Sequence, residues 1–140
     1  MTPTLNRGTI FLIFVLSVIL FVTPGCKKDK DDNPGSGTYP RTVNIQYKVS
    51  SSTGFSQVMQ MTYSNETGGL TNGTNVAMPF SKSFSKTVNR FDVIVLTFGH
   101  TGMGNLKGEI LVDNVVVKTA SFTGDTPSST IPGQVTYTFP

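Results

Sequence analysis

The sequence predicts an all-β domain, one antiparallel β-sandwich of seven or eight strands that follows an N-terminal signal segment. The chain has 140 residues, of which 14% are charged, and this length leaves room for one small domain. Short alternating apolar runs recur between clusters of Gly, Ser, Thr and Asn, and beyond the first segment no helical apolar stripe is evident. We therefore expect a signal segment over residues 1–25, a tether over 26–38 and the sandwich over 39–140.

The first element is an apolar run near the N-terminus. Residues 10–22 are thirteen nearly unbroken apolar positions after Arg7, whereas a membrane span needs about twenty. The small residue Gly25 precedes Cys26, as in the lipobox that signal peptidase II cleaves. Cys26 is the one cysteine, so an internal disulfide is excluded. We expect cleavage before Cys26 and lipidation of its thiol; the alternatives are an uncleaved signal anchor and a buried free thiol.

The residues after Cys26 predict a solvated tether. Residues 27–37 have no apolar side chain to bury, and at about 3.3 Å per extended residue they span at most roughly 40 Å. Two or more acyl chains hold a protein firmly at a bilayer, whereas one chain is marginal. The lipid bilayer, reached through acylated Cys26, is therefore an expected partner.

The charge balance after the signal segment is small. From Cys26 onward there are ten Lys or Arg and eight Asp or Glu, so the formal charge is ten minus eight, or +2. These residues are spread along the chain, whereas a nucleic-acid surface needs concentrated basic charge. We therefore expect no nucleic-acid partner.

The remaining elements, in chain order, are eight predicted strands. In the first strand Val43 and Ile45 alternate with Thr42 and Asn44, which indicates one buried and one solvated face. Turn residues at 52–54, 67–69 and 72–73 separate the next runs. The predicted strands are 41–49, 57–63, 74–79, 82–88, 91–98, 107–112, 115–122 and 134–139.

The turn between the sixth and seventh strands is the most specific local prediction. Asp113 and Asn114 tolerate the positive φ that a two-residue hairpin turn requires. The turn fixes the register, because a slip of one residue would exchange the two faces. The expected opposed pairs are Val112 with Val115, Leu111 with Val116, Ile110 with Val117, and the oppositely charged Glu109 with Lys118.

The fifth predicted strand has two apolar faces. Val95 and Leu96 lie on opposite faces, so their solvent exposure in the structure decides which face is outside. In one interpretation a loop at 99–105 or 124–132 covers the outer face; in the other that face is an exposed patch for a partner. Met103 lies at a predicted loop tip where it has no core to fill. The candidate interaction surface is therefore Met103, Phe98 and Leu96.

The second predicted strand places three large side chains on alternate positions, Met59, Met61 and Tyr63. This spacing predicts one inward face of a strand. The alternative is an adaptable binding surface, because Met side chains repack easily.

Catalytic and metal-binding groups are sparse in the predicted domain. His100 is the one histidine, and neither a serine nucleophile nor a zinc site can be built from it alone. The acids are scattered, and calcium at Asp113, Asn114 or Asp125 is the open alternative although no EF-hand spacing occurs. We expect no enzyme, no cofactor and no metal site. An enzyme would need the side chains of Glu66, Asp92 or His100 to converge.

Two sets of motifs resemble known families. The start Cys26-Lys27-Lys28-Asp29 resembles lipoproteins of the Bacteroidetes, which implies display at the outer membrane. Segments 43–49, 58–65, 76–81 and 108–114 resemble small immunoglobulin-like lipoproteins and the mycobacterial membrane protein small (MmpS) family. The family motifs are a Tyr-x-Val first strand, a Thr-Tyr-Ser/Thr-Asn segment, Leu-Pro-Trp and an Ile-x-Val-Asp-Gly hairpin; here Phe80 replaces the Trp and Asn114 the Gly. The resemblance implies an immunoglobulin-like sandwich without catalytic residues.

These observations together predict a lipid-anchored envelope protein at the outer membrane, on its periplasmic or cell-surface side. It is expected to act as a non-enzymatic binding or interaction module. The alternative that the MmpS resemblance implies is an accessory subunit of a membrane transport system. An envelope protein or a transporter is then the expected protein partner.

Overall fold

The computed structural model describes residues 37–140, and this part of the chain is all β, as predicted. Cys26, the signal segment and the tether up to residue 36 lie outside the described residues. Over residues 37–140 we find no helix that could cross a membrane. The strands are β1 (Arg41–Ser50), β2 (Gln57–Ser64), β3 (Leu70–Ala77), β4 (Phe80–Val88), β5 (Val93–Thr101), β6 (Gly104–Val112), β7 (Val115–Gly124) and β8 (Thr130–Thr138).

Two four-stranded antiparallel sheets form the sandwich. The first sheet has the order β4-β1-β6-β7, and the second sheet has the order β3-β2-β5-β8. The pairs β1 with β4 and β2 with β5 join strands three apart in the sequence, as the B–E and C–F pairs of the immunoglobulin arrangement do. The predicted sandwich of seven or eight strands is confirmed with eight.

The core lies between the two sheets and is built from their alternating inward positions. In β1, Val43, Ile45, Tyr47 and Val49 are all buried, as the alternation predicts. The Tyr47 ring packs against the rings of Tyr63 and Phe84, with centroid distances of 5.5 and 5.9 Å. Full burial of side chains of this size contributes about 1.5–3 kcal/mol each, so the inward positions provide the main stabilisation of the fold.

Leu96 and Phe98 face this core, and their predicted place in an interaction surface is wrong. Their side chains are 0% and 3% exposed. The Phe98 ring fits between the two sheets at Gly108 and Gly133, where an added Cβ on either glycine would collide with the ring. Phe122 packs against it edge to face at 5.6 Å. The two glycines leave the space that the ring fills.

The outer face of β5 is not covered by the loops that the sequence suggested. Residues 99–101 continue β5, and residues 104 and 105 already belong to β6. The remaining connections, at 102–103 and 125–129, lie at the opposite end of the sandwich from Val93. Val93 is exposed and Val95 is half-buried on this outer face.

The predicted hairpin is confirmed at its turn, but its register changes two pairs further on. Asp113 and Asn114 have φ angles of 50° and 68°, and the pairs Val112–Val115 and Leu111–Val116 form as predicted. A β-bulge between Ile110 and Leu111 then places Ile110 opposite Lys118 and Glu109 opposite Thr119. The predicted pairs Ile110–Val117 and Glu109–Lys118 are therefore wrong, since Val117 is the extra residue of the bulge. Glu109 instead pairs with Lys107, at 2.7 Å between Oε1 and Nζ.

Every predicted strand differs from the structure at one end or both, and two of these differences change the place of a residue discussed above. β3 runs through Asn72 and Gly73, which were expected to break the chain. These residues tolerate strand conformation because β3 is an edge strand that pairs with β2 alone. The other difference concerns His100, which lies in β5 and not in a loop.

Successive strands run in opposite directions, so the connections fall at two ends of the sandwich. One end holds the start of β1 and the turns at 65–69, 89–92 and 113–114; we call it the entry end. The other end holds the connections at 51–56, 78–79, 102–103 and 125–129; we call it the far end.

Candidate functional site

The outer face of the second sheet carries a groove of about 790 Å³. Cross-strand neighbours form its floor, because alternate residues of a strand point to the same face. The rows are Thr62, Thr97 and Gln134, then Thr74, Gln60, Gly99 and Pro132, and then Thr101 and Thr130.

The groove is deep at Gly99 because this residue has no side chain between Gln60 and Pro132. A Cβ built at Gly99 would meet the Ile131 carbonyl oxygen at 3.6 Å, an ordinary contact. The backbone there is also outside the left-handed region. A larger residue at Gly99 would therefore occupy the groove without disturbing the sheet.

The side of the groove at β2 and β3 contains Met59 and Asn75. Asn75 has a φ of 51°, which is unusual inside a strand and tolerated by Asn. Met59 is exposed beside it, whereas Met61 is buried in the core. The predicted common inward face of Met59, Met61 and Tyr63 is therefore wrong for Met59, which lies in the groove wall.

The lining combines apolar and polar groups and is almost free of ionisable ones. Among the described residues that line the groove, His100 is the one ionisable side chain, and the polar ones are hydroxyls and amides. The Thr97 hydroxyl donates to the Thr62 carbonyl oxygen at 3.3 Å, and the Thr62 hydroxyl donates to Asn72 Oδ1 at 2.7 Å. Both hydroxyl protons are therefore donated to groups of the sheet itself. The two hydroxyl oxygens still have lone pairs that can accept hydrogen bonds from a ligand.

His100 has a structural environment at the far end of the groove. Its ring lies against Phe55, with a centroid distance of 4.0 Å, and its Nδ1 is 2.7 Å from the Thr101 carbonyl oxygen. A carbonyl can only accept, so Nδ1 carries the proton in this contact. This contact fixes the orientation of the ring.

The acids that an enzyme would need are separated from His100. Glu66 and Asp92 lie in turns of the entry end, and His100 lies near the far end. Asp92 Oδ2 accepts the Asn89 N–H at 2.8 Å within its own turn. Within residues 37–140, no three His, Cys, Asp or Glu side chains are close enough to hold a metal ion together.

Met103 lies at the far end, outside the groove lining, and 57% of it is exposed. Its turn is held in place, because the Gly102 N–H donates to the Ser129 carbonyl oxygen at 2.8 Å and the Phe55 ring packs on Gly102. Met103, Leu96 and Phe98 therefore do not form one surface. The role of Met103 as a contact residue stays a prediction.

The groove was not found from the sequence. Its residues come from four strands, and β5 pairs with β2 and β8 across long sequence separations. The available signal was a run of uncharged outward positions at Gln60, Thr62, Thr97 and Gln134. Comparison with known proteins adds no family: no protein-family model and no curated protein matches this chain.

Proposed function

We propose that this chain is a non-enzymatic envelope lipoprotein that binds an uncharged, hydroxyl-rich ligand in the groove of the second sheet. The observation that carries the proposal is the groove itself. Its volume of about 790 Å³ is within the range of small-molecule sites, roughly 300–1,000 Å³. Lipidation at Cys26 is the second part of the proposal, and it is supported by the signal-like segment before that residue.

The uncharged lining favours a neutral ligand. A charged group that enters the groove would lose hydration, and the hydroxyls and amides around Gly99 offer no opposite charge in return. Hydroxyl groups of a neutral oligosaccharide can donate to the Thr62 and Thr97 hydroxyl oxygens, and they can both donate to and accept from the side-chain amide of Gln60. A neutral oligosaccharide is therefore the ligand class that we propose.

The expected affinity is modest. Each neutral hydrogen bond contributes about 0.5–1.5 kcal/mol net, and the groove is open along the sheet. Four or five such bonds total about 2–7.5 kcal/mol, and the costs of association reduce this sum, so we expect a dissociation constant in the millimolar range or weaker. This weak affinity suits a protein held at high local density on a surface, where several copies engage one polymer.

Replacing Gly99 by Val tests the site. The Val side chain would fill the groove, whereas Ser83→Val changes an exposed residue on the outer face of the first sheet and serves as a control. The full chain is titrated with neutral glucan, mannan and xylan hexasaccharides and with a uronic acid hexamer, and amide chemical shifts are followed by NMR. We expect a neutral hexasaccharide to shift the amides of Thr97 and Gly99, and Gly99→Val to weaken this binding at least tenfold.

Three results would contradict the groove as the binding site. The first is amide chemical-shift changes confined to the far end, and the second is equal affinity of Gly99→Val and the unaltered chain. The third is tighter binding of the uronic acid hexamer than of the neutral hexasaccharides. The accessory role in transport that the MmpS resemblance implies stays a prediction, and its expected signature is co-purification with a transporter.

A further inference from the structure

Large apolar side chains are exposed mainly at the entry end. Among residues 37–140, seven large apolar side chains are exposed, and five of them lie in a turn of the entry end or at the first or second residue of a strand that begins there. The remaining two, Met59 and Met103, lie towards the far end. The five are Leu70 (64% exposed), Phe91 (66%), Val93 (53%), Val115 (46%) and Val116 (49%).

Phe91 is the most exposed of the five, and the fold holds it in place. Its φ of 68° is a left-handed conformation that is costly for a bulky residue. The Phe91 N–H donates to the Phe139 carbonyl oxygen at 2.8 Å, and the Phe139 N–H donates to the Asp92 carbonyl oxygen at 2.9 Å. The turn therefore presents an aromatic ring to solvent, and about two thirds of the residue remains exposed.

A cation accompanies this ring. The Arg90 guanidinium carbon lies 4.8 Å from the Phe91 ring centroid, which is a cation–π distance. Lys86 Nζ is 3.4 Å from the Glu66 carbonyl oxygen in the neighbouring turn. The Asp92 carboxylate is directed into its turn towards the Asn89 N–H. The entry end thus combines an exposed aromatic ring with one cation beside it, and its other charged groups are of both signs.

The chain reaches the domain at this same end. Cys26 precedes the first residue of β1, Arg41, by fifteen positions. Arg41 is held against the hairpin by an ion pair with Asp113, at 3.7 Å between Nη1 and Oδ2. A lipid group on Cys26 would therefore be connected to the domain through the end that carries the exposed apolar side chains.

We propose that the entry end is a membrane-contact surface, with Phe91 inserted at the level of the lipid headgroups and Arg90 beside the phosphates. Aromatic rings and long basic side chains are suited to this interface. The inference rests on the proposed anchoring at Cys26, and it determines an orientation. The strands stand upright on the bilayer, the far end with Met103 points away from it, and the groove opens sideways.

The chain contains no Trp, so the fluorescence of a single introduced Trp reports only on the position where it was introduced. We would prepare full-length Phe91→Trp and, as the matched control at the far end, Met103→Trp. Each is reconstituted into phosphatidylcholine and phosphatidylglycerol vesicles with and without brominated acyl chains. We expect brominated lipid to reduce the emission of Phe91→Trp at least twofold and to change that of Met103→Trp by less than a tenth. Unchanged melting temperatures would establish that both variants are folded.

Two results would overturn the inference. The first is equal quenching of the two variants. The second is blue-shifted emission from Phe91→Trp that brominated lipid does not quench, which would assign the surface to a second copy or to another protein. A third variant, Val116→Trp, places the Trp at another exposed position of the entry end, and we expect brominated lipid to quench it as well. Adding Phe91→Ser and Val93→Ser to this variant should abolish the quenching.

Flotation of the same vesicles separates this inference from the proposed anchoring. If Cys26→Ser abolishes flotation and lipidated Phe91→Trp is quenched, both proposals are supported. Flotation without quenching of Phe91→Trp would contradict the membrane-contact surface alone. Flotation and quenching that persist when Cys26→Ser is added would contradict the lipid anchor and support the surface.

Discussion

At the scale of single residues, Tyr47 is the most unusual member of the core. It is fully buried, and its hydroxyl has no partner that meets hydrogen-bond geometry. The nearby Ser64 hydroxyl oxygen already accepts the Val95 N–H at 3.0 Å. Burial raises the pKa of the Tyr47 phenol, and the Ser64 hydroxyl offsets this only in part. The ring stabilises the core, whereas the hydroxyl does not.

Tyr47→Phe is therefore expected to leave the free energy of unfolding unchanged or to raise it by up to about 1 kcal/mol, since an unsatisfied buried hydroxyl is removed. Urea denaturation measures this change. Tyr47→Ala is the comparison that removes the ring, and it should lose about 3–5 kcal/mol. A loss above about 2 kcal/mol in Tyr47→Phe would instead mean that the hydroxyl has a strong partner.

The raised pKa of Tyr47 also predicts how stability depends on alkaline pH. In the unfolded chain a Tyr loses its proton near about pH 10, whereas folded Tyr47 keeps its proton to a higher pH. Ionisation then favours the unfolded state, and stability falls as the pH rises above about 10. The fall should be less steep in Tyr47→Phe. Parallel slopes for the two proteins would contradict the assignment to Tyr47.

At the scale of strands, two glycines of the second sheet have different roles. Gly133 faces inward, where its missing Cβ leaves room for the Phe98 ring. Gly99 faces outward, next to Phe98 in the chain, and opens the groove. The alternation of β5 separates the two roles, since the neighbours Phe98 and Gly99 point to opposite faces.

Substitutions at these glycines should differ in their effect on stability. Gly133→Ala is expected to lower the free energy of unfolding by about 1–3 kcal/mol, because the added methyl displaces the Phe98 ring. Gly99→Val should change it by less than about 0.5 kcal/mol or raise it, since Val suits a strand and Gly weakens one. Thermal melts of both variants beside the unaltered chain test this. Equal losses would show that Gly99 also has a packing role.

The strands were predictable wherever local chemistry determines them. In β1, buried residues alternate with solvated ones. Asp113 and Asn114 form their turn because both residue types tolerate a positive φ. The bulge at Ile110 and Leu111 depends on how Val117 packs, and no local signal marks it. The space for the inward Phe98 ring depends on glycines in other strands. Because β5 carries apolar residues on both faces, its alternation alone could not show which face is inward.

At the scale of the whole molecule, the proposed site and the proposed anchor differ in how they arise. The groove requires the long-range pairing of β2, β5 and β8, so only the fold reveals it. Lipidation at Cys26 depends on a local sequence before the domain, so the sequence alone predicts it. Taken together, the two proposals would place a binding face on a domain that is anchored at a membrane surface.

Cys26→Ser tests the anchor directly. The variant should lose palmitate labelling and remain as an uncleaved or soluble species, because a hydroxyl does not replace the thiol as the acceptor of the lipid group. Intact mass spectrometry measures the processing and acylation of both proteins. An unaltered chain whose mass corresponds to an unmodified polypeptide from Met1 would contradict the anchor.

The pairing order of the strands also has a consequence for how the chain folds. Within residues 37–140, the β2–β3 and β6–β7 ladders join sequence neighbours, whereas the other four ladders join strands three or five apart. Such high contact order typically gives folding times of milliseconds to seconds. A nascent chain cannot complete the pairing of β1 until β6 has been synthesised, nor that of β5 until β8 follows. Neither sheet of the sandwich can therefore be completed until most of the domain has been synthesised.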